Sequence, residues 1–404
     1  MIAKWRFALR QGSGRVQKGS KEIMLITRLI LKNWRNFRNL DVPLREVSFL
    51  LGPNASGKSN ILDVFRFLRD VSKTQGGGLQ KAVADRGGMT KLRCLHARQD
   101  PGVQIEVSLS ESSDELPAWR YVLGFEGKGL QQIFITKEQV WHGGKLLIDR
   151  PTQKDKDDSM LLTQTHLEQI QTNAKFRELV DFFGATTYLH LVPQLLKFAD
   201  KIGGQRLEDD PFGQGFLERL AKTPEKTRNA RLRKIEIALA MAVPQFKQLD
   251  FKTDVLGRPH LHARYEHHRP NAGWQSEEHF SDGTLRLLGL LWTLQEGASL
   301  LLLEEPEISL NDAIVKEIPL MLNRLQRNKK IRRQIVLSTH SEALLSNPGI
   351  DGRGVILLEA GKDGSTARTV NDEEATDLMA GLSIAEVVLP KTRPVTVNQL
   401  GLWQ

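Results

Sequence analysis

The chain has 404 residues, of which 40% are hydrophobic, and it carries a formal net charge of +9 at pH 7 and one cysteine, Cys94. This length could form two or three domains with a substantial core. One cysteine excludes an internal disulfide and a multi-thiolate zinc site, which suits a protein of the reducing cytoplasm. The simplest interpretation of Cys94 is a small side chain without a chemical role. No run approaches the roughly 18 consecutive apolar residues that a membrane span needs, so we predict a cytoplasmic protein that makes no membrane contact.

The positive charge favours an anionic partner, for which DNA is the first candidate. Basic residues cluster in three runs, and each run could instead be an ordinary solvated face of a helix or strand. The runs are Arg28, Lys32, Arg35 and Arg38; Lys226, Arg228, Arg231, Arg233 and Lys234; and Arg324 to Arg333.

The first part of the chain predicts a tail and then a βα unit. Residues 1–23 are basic and contain Gly and Ser without apolar periodicity, which predicts a disordered tail. Residues 24–150 predict a strand, a buried strand that runs into a Gly-rich turn, and an amphipathic helix. Within them, residues 102–148 alternate polar and apolar side chains, which indicates an inserted antiparallel sheet.

The second part predicts helices and then a parallel sheet. Helical patterns at 158–184 and 213–242 predict a mainly helical lobe at 151–245. From 246 to 404 strand and helix patterns alternate, which is typical of a parallel sheet with crossover helices. The tail from Asp372 is expected to dock a partner.

The Gly-rich turn GPNASGKS, residues 52–59, fits the pattern G-x-x-x-x-G-K-[ST] between an apolar strand and a helix. Its glycines let backbone N–H groups surround phosphates, Lys58 reaches the terminal phosphates and Ser59 ligates Mg²⁺. We therefore predict a site for ATP and Mg²⁺, with ATP contacts from Asn54, Ala55, Ser56, Gly57, Lys58, Ser59 and Asn60.

Two later strand ends complete this prediction. SLLLLEEPE ends a leucine strand with Glu304 and Glu305, where open α/β sheets bind ligands. We assign Glu304 to Mg²⁺ through water, and Glu305 to the orientation or deprotonation of the attacking water. RQIVLSTHS ends at His340, which could donate a hydrogen bond to a γ-phosphate or could be an ordinary loop histidine.

Gly52 to Ser59, FSDGT, LLLLEEPE and VLSTH, in that order, resemble the P-loop, signature motif, Walker B strand and switch histidine of ABC-type ATPase heads of the SMC and RecF kind. The resemblance runs from about Met24 to the strand of His340. It implies an α/β P-loop NTPase fold of ABC-ATPase head type, with a mixed sheet, an antiparallel β insertion and a helical lobe. LKNWRNF resembles the family's opening strand motif, in which the arginine matched by Arg35 lies near the nucleotide.

In such heads the serine and glycine matched by Ser281 and Gly283 cap the γ-phosphate that a second subunit holds in its P-loop. The resemblance thus implies a homodimer joined by ATP. From the residues alone, Ser281 could equally be an ordinary helix N-cap.

This chain departs from the family's pattern in places. Most such heads carry Asp-Glu where this chain has Glu304 and Glu305, and ISLNDA follows EEPE where many relatives have histidine and proline. A D-loop role is assigned to Leu310 to Asp312, and Gln194 is expected to be the glutamine that joins the lobes.

EEPE with SDGT is similar to single-head ATPases related to OLD-type (overcoming lysogenization defect) proteins, many of them linked to bacterial anti-phage defence. The predicted function is an ATP-hydrolysing dimeric switch that acts on DNA or on a separate effector such as a nuclease. A RecF-like DNA repair clamp with slow turnover is one alternative. The ATPase subunit of a transporter is another, and the inserted sheet and EEPE argue against it.

Overall fold

The structure is a computed structural model that describes residues 24–97, 100–128, 132–198, 210–266, 273–297, 299–327 and 333–392. The predicted tail at 1–23 and the residues after 392 lie outside this range. In chain order the strands are β1 (Leu25–Trp34), β2 (Phe37–Pro43), β3 (Val47–Leu51), β4 (Val103–Ser110), β5 (Trp119–Lys128), β6 (Gln132–His142), β7 (Lys145–Arg150), β8 (Thr187–Leu189), β9 (Phe246–Thr253), β10 (Pro259–Tyr265), β11 (Gln275–Ser276), β12 (Leu301–Glu304), β13 (Ile335–Ser338), β14 (Val355–Gly361) and β15 (Gly364–Thr369).

The helices lie between these strands and after them. In chain order they are α1 (Lys58–Ser72), α2 (Leu79–Ala84), α3 (Met89–Leu92), α4 (Gln153–Asp157), α5 (Arg177–Gly184), α6 (Pro193–Lys197), α7 (Phe216–Lys222), α8 (Glu225–Ala242), α9 (Asp282–Leu294), α10 (Asp312–Arg327), α11 (Glu342–Leu345), α12 (Asp372–Met379) and α13 (Ile384–Val387). Short 3₁₀ helices lie at Ser159–Thr163, Asn173–Phe176, Glu277–His279, Gly352–Gly354 and Leu389–Thr392. Among the described residues, none of these helices is long and apolar enough to cross a bilayer.

The central sheet has the strand order β15-β14-β3-β13-β12-β8. Its strands are parallel apart from the hairpin strand β15, and alternate leucines of β12 face two different cores. Leu302 packs in the core that contains α1, whereas Leu301 and Leu303 pack in the core that contains α9. A parallel sheet covered on both faces needs apolar residues at successive positions, which is why LLLL predicts this strand correctly.

The predicted antiparallel insertion is also present. Strands β4 to β7 extend a six-stranded antiparallel sheet of order β2-β1-β4-β5-β6-β7, whose inner face packs on α1 in the first core. A third, three-stranded sheet of order β11-β10-β9 packs beside α8. The mixed sheet, the antiparallel insertion and the helices confirm the predicted fold class.

The helix predicted at 158–184 is wrong for most of its length. Only α5 is α-helical there, and the rest consists of turns and 3₁₀ helices. Polar side chains bond nearby backbone instead: Glu168 accepts from the Thr165 N–H at 2.6 Å, and the Thr172 hydroxyl donates to the His166 carbonyl at 3.2 Å. Such local bonds compete with helical ones.

The first part of the C-terminal segment packs on its own chain. Ile384, Val388 and Leu389 are buried in the core that contains α9. Glu374, which is also buried, bonds Arg368 and Lys391. Docking of a partner by this segment stays a prediction.

Candidate nucleotide-binding site

Three strand ends meet at one edge of the central sheet. Strand β13 lies between β3 and β12 and is parallel to both, so the carboxyl ends of all three point the same way. The P-loop follows β3, Glu304 ends β12 with Glu305 directly after it, and His340 follows β13. The sequence-predicted groups are therefore brought together at the edge where such sheets bind ligands.

The P-loop has the backbone of an anion site. Gly57 precedes α1 with φ 106°, and no side chain caps the first turn of the helix, so its N–H groups are available to a phosphate. A Cβ on Gly57 would lie 2.4 Å from Asn36 Nδ2, and a Cβ on Gly52 would lie 2.6 Å from the Leu358 carbonyl oxygen. Both positions require glycine because neighbouring atoms approach the backbone too closely for a side chain.

Lys58 is buried and turned back onto its own loop. Its Nζ donates to the carbonyl oxygens of Gly52 at 2.8 Å and Pro53 at 3.1 Å. Burial lowers the pKa of Lys58, while the negative charges of Glu305 and Glu304 act in the opposite direction. Both acceptors are neutral carbonyl oxygens, so the ammonium group of Lys58 can exchange these hydrogen bonds for stronger ones to charged phosphate oxygens.

Two observations fit a nucleotide and its metal. The hydroxyl of Ser56 is fully buried in the loop and has no hydrogen-bond partner among the described residues. Ser59 Oγ donates to Glu304 Oε1, so a hydroxyl and a carboxylate oxygen already meet beside the loop. Mg²⁺ prefers oxygen ligands and takes only one or two protein groups beside phosphates and waters, and Ser59 with Glu304 would hold it.

Glu304 is also held from its far side, by residues that the sequence reasoning missed. Tyr188 donates its hydroxyl hydrogen bond to Glu304 Oε2, and His190 Nδ1 lies 3.3 Å from the Glu304 carbonyl oxygen. Burial and this carboxylate raise the pKa of Tyr188, which keeps the hydroxyl a donor. The sequence signal that could have revealed these two residues is the strand pattern TTYLHLV at 186–192, which contains β8 next to β12.

Glu305 and His340 form the second pair at this edge. His340 Nδ1 lies 3.2 Å from Glu305 Oε1, and both side chains are accessible to solvent. Glu305 has a left-handed backbone, with φ 44°, which turns the chain sharply after β12. A carboxylate and an imidazole in contact can share the orientation of one water molecule.

Glu307 holds the backbone next to His340, and the sequence patterns did not predict this role. Its Oε1 accepts from Thr339 Oγ1 at 2.5 Å and from the His340 N–H at 3.4 Å, and burial raises its pKa. The last glutamate of EEPE thus fixes the backbone that carries His340.

Arg35 and Asn60 lie beside the P-loop in structural contacts. Arg35 Nη2 donates to Asp63 on α1 at 2.6 Å, whereas Asn60 bonds Asn36 Oδ1 at 2.7 Å. Asn36 donates in turn to the Ser56 carbonyl oxygen at 3.0 Å. Contact of Arg35 and Asn60 with ATP stays a prediction, and Asn36 is the residue that braces the loop.

The exposed residues Asn54 and Ala55, the latter with φ 64°, form the outer rim of the loop.

The signature turn lies at the start of α9. Ser281 is exposed and caps the helix by accepting from the Thr284 N–H at 3.1 Å, so the N-cap alternative is correct whatever else the residue does. Gln194 Nε2 donates to Asp282 Oδ2 at 2.7 Å. Gln194 therefore joins α6 to the signature turn, a contact that the sequence did not reveal. A Cβ on Gly283 would lie 2.6 Å from the Ser309 carbonyl oxygen, so this turn packs tightly on the loop after β12.

Several of the basic residues have roles inside the protein. Arg231 lies 5.1 Å over the Trp292 ring and 3.7 Å from Glu296, and Arg333 is buried against backbone carbonyl groups. On α8 the side chains of Arg233 and Lys234 are exposed. The middle run thus keeps a smaller basic surface than its composition suggested.

A P-loop, an acidic strand end and a histidine strand end on one edge of a mixed sheet define an ABC-type ATPase head. The chain belongs to the family described as "AAA domain, putative AbiEii toxin, Type IV TA system", whose sequence profile matches residues 47–346. A stretch of 100 residues is 32% identical to the DNA replication and repair protein RecF of Roseiflexus castenholzii and spans 23% of this chain and 25% of that protein. The chain thus matches about a quarter of the length of that relative.

Solved structures confirm the fold. The SmcHead bound to the C-winged helix domain of ScpA has a TM-score of 0.53 at 15% identity, over 87% of this chain and 99% of that chain. The Smc head domain with an extended coiled coil bound to the C-terminal domain of ScpA, derived from Pyrococcus furiosus, has a TM-score of 0.52 at 13% identity, over 89% and 99%. The predicted ABC-type head of the SMC and RecF kind is therefore confirmed, and the narrower resemblance to OLD-type proteins stays a prediction.

Proposed function

We propose that this protein hydrolyses ATP and uses it as a switch: two copies close around two ATP molecules, act on DNA or on a partner effector, and separate after hydrolysis. The observation that carries the proposal is the convergence of Lys58, Glu304, Glu305 and His340 at one sheet edge. ATP-bound and ATP-free forms would differ in whether two chains are held together.

The residues divide the chemistry among them. Lys58 and the first N–H groups of α1 bind the β- and γ-phosphates, with Ser59 and Glu304 as ligands of Mg²⁺, which would neutralise phosphate charge when bound. Glu305 orients the attacking water and accepts its proton. His340, in contact with Glu305, donates a hydrogen bond to the γ-phosphate.

The signature turn supports the dimer. Ser281 is exposed, and the N-terminus of α9 carries the partial positive charge that attracts a phosphate. Asp282 is bonded to Gln194 and Lys197, and Gly283 packs on Ser309, so these contacts orient the turn while Ser281 faces outward. A second molecule can therefore present its nucleotide to a preformed surface.

Replacement of Glu305 by Gln tests this proposal. The amide keeps the size of the side chain and one acceptor oxygen but cannot accept a proton, so the turnover number should fall about 10²- to 10⁴-fold while ATP still binds. Light scattering should then show an ATP-dependent dimer that persists. The matched control is Glu317→Gln on the exposed side of α10, which should behave as the unaltered protein. A Glu305→Gln protein that stays monomeric with ATP and hydrolyses it at the normal rate would refute the role.

DNA binding is the second part of the proposal, and its support is the exposed basic surface of α8. Replacement of both Arg233 and Lys234 by Ala should weaken binding of duplex DNA and reduce the slope of log K against log salt by about 0.9 for each lost phosphate contact. The control is the double replacement of Lys145 and Lys362, which are exposed on β7 and in the β14–β15 turn. An unchanged slope would show that the α8 residues are solvated surface only.

A RecF-like clamp with slow turnover is the second candidate, and the 32% identity to RecF over 100 residues favours it. A clamp should show ATP turnover that DNA stimulates, without any partner effector. An effector switch should need a second protein for its cellular effect. We also propose a role in anti-phage defence, from the resemblance to OLD-type proteins, and comparing phage plating on cells with the normal and Glu305→Gln proteins tests it.

A further inference from the structure

Two buried polar atoms next to the site have no hydrogen-bond partner within the described ranges. They are Arg286 Nε, on α9, and Glu307 Oε2, in the loop after β12. Buried polar atoms are almost always paired in folded proteins, so a donor and an acceptor left over in one region call for an explanation.

The two atoms belong to elements that pack against each other. The near contact between Gly283 and the Ser309 carbonyl oxygen brings the first turn of α9 onto the loop at 305–310. Arg286 is three residues after Gly283 and therefore lies on the same side of the helix. Burial lowers the pKa of Arg286, while the charges of Asp282 first, and then of Glu305 and Glu307, oppose that effect, so the two carboxylates of the loop are among the charges near this guanidinium.

Glu307 connects this arginine to the hydrolysis pair. One of its oxygens holds Thr339 and the His340 N–H, and His340 in turn contacts Glu305. The other oxygen is the unpaired one. A single carboxylate thus stands between the signature helix and the pair that orients water.

We propose that Arg286 is a positioning residue: its guanidinium, which is not bonded to Glu307 in this structure, comes to pair with the free oxygen of Glu307 when the signature turn is loaded, and so ties that turn to the Glu305–His340 pair of the same chain. The inference rests on the proposed function, because the signature turn is loaded by the partner's ATP. Phosphate at Ser281 pulls the start of α9 toward the partner, and the arginine transmits that change to Glu307 and the His340 backbone. Hydrolysis at one nucleotide then depends on the presence of the other.

A double-mutant cycle on Arg286 and Glu307 tests the link. Arg286→Met keeps the apolar stem and removes the charge, and Glu307→Gln keeps the acceptor oxygen that Thr339 uses. Each single variant should lower the turnover number about tenfold and leave the dissociation constant for ATP within roughly twofold, because neither residue belongs to the P-loop. The double variant should be no slower than the slower single variant. The Hill coefficient for ATP should fall toward one.

Two controls separate positioning from folding. Arg286→Lys keeps the charge and should recover part of the lost turnover, whereas a role in packing alone would give Met and Lys similar values. Arg324→Met removes an exposed arginine of α10 and should change nothing. Thermal unfolding of every variant identifies any that does not fold. If Arg286→Met does not fold, the cycle is made with Glu307→Gln and Arg286→Lys instead.

The outcomes distinguish this inference from the proposed function. If the losses of the two single variants multiply in the double variant, or if Arg286→Met weakens ATP binding without slowing turnover, the link between Arg286 and Glu307 is refuted while the ATPase stands. If the unaltered protein hydrolyses ATP as a monomer, the dimer is refuted, and the cycle still reports on the link within one chain. If it shows no hydrolysis, both proposals fall.

Discussion

Replacement of Asn36 by Ala removes three hydrogen bonds around the P-loop. Asn36 Nδ2 donates to the Ser56 carbonyl oxygen at 3.0 Å and to Ser365 Oγ at 2.6 Å, and Asn36 Oδ1 accepts from Asn60 at 2.7 Å. Each such bond contributes about 0.5–1.5 kcal/mol net, so the free energy of unfolding should fall by about 2–4 kcal/mol. ATP should bind about tenfold more weakly, because the backbone of Ser56 is no longer held in the phosphate-binding conformation.

Urea unfolding followed by circular dichroism measures the first effect, and isothermal titration with a non-hydrolysed ATP analogue measures the second. Asn39→Ala is the matched control, since Asn39 is exposed on β2 and carries the same side chain. The control should change the free energy of unfolding by less than about 0.5 kcal/mol.

The reasoning is refuted if Asn36→Ala matches the control in both measurements, since the three bonds would then contribute nothing to the loop. A loss of stability with unchanged ATP affinity would show that Asn36 joins the two sheets without shaping the phosphate site.

Gly283→Ala should lower the free energy of unfolding by up to about 2 kcal/mol, because a clash with the Ser309 carbonyl oxygen that costs about 1–3 kcal/mol outweighs the gain of about 1 kcal/mol from helix propensity. It should also weaken ATP-dependent self-association about tenfold, measured by light scattering, and an unaltered dimer would show that this turn takes no part. Hydrogen bonds from Arg368, the Asn371 N–H and Lys391 lower the pKa of Glu374 to about 2 from 4.5. A lowered folded-state pKa means that Glu374 contributes stability above about pH 4.5 and loses it as the pH falls toward 2. Glu374→Gln should therefore be less stable than the unaltered protein at pH 7, with a difference in urea midpoint that shrinks between pH 4.5 and 2; a constant difference would show that ionisation plays no part.

Local patterns were sufficient for much of the fold. Four leucines before Glu304 predict a strand buried on both faces, and the glycines and Lys58 of the P-loop predict a phosphate site, since each of these signals lies within about ten consecutive residues. The strand ends at Glu305 and His340 were predicted to converge because parallel strands share one carboxyl edge. The prediction of a helix at 158–184 was wrong because side-chain hydrogen bonds to nearby backbone groups outweighed the apolar pattern.

The contacts that shape the site join residues far apart in the chain. Tyr188 reaches Glu304 over 116 residues, and Asn36 reaches Ser365 over 329. Gln194 bonds Asp282, although the sequence placed it as a lobe-joining residue without a partner. Spacing and periodicity carry no information about such pairs without an alignment of relatives.

By itself the sequence determined the class of the protein, the phosphate loop and the acidic and histidine strand ends, because the chemistry of each depends on residues adjacent in the chain. Only the tertiary structure decided which groups brace the loop, which arginines are buried rather than basic surface, and that Arg286 and Glu307 each leave an atom unpaired near Glu305 and His340. Those features depend on how the two cores pack against the sheet, and packing is a property of the whole chain.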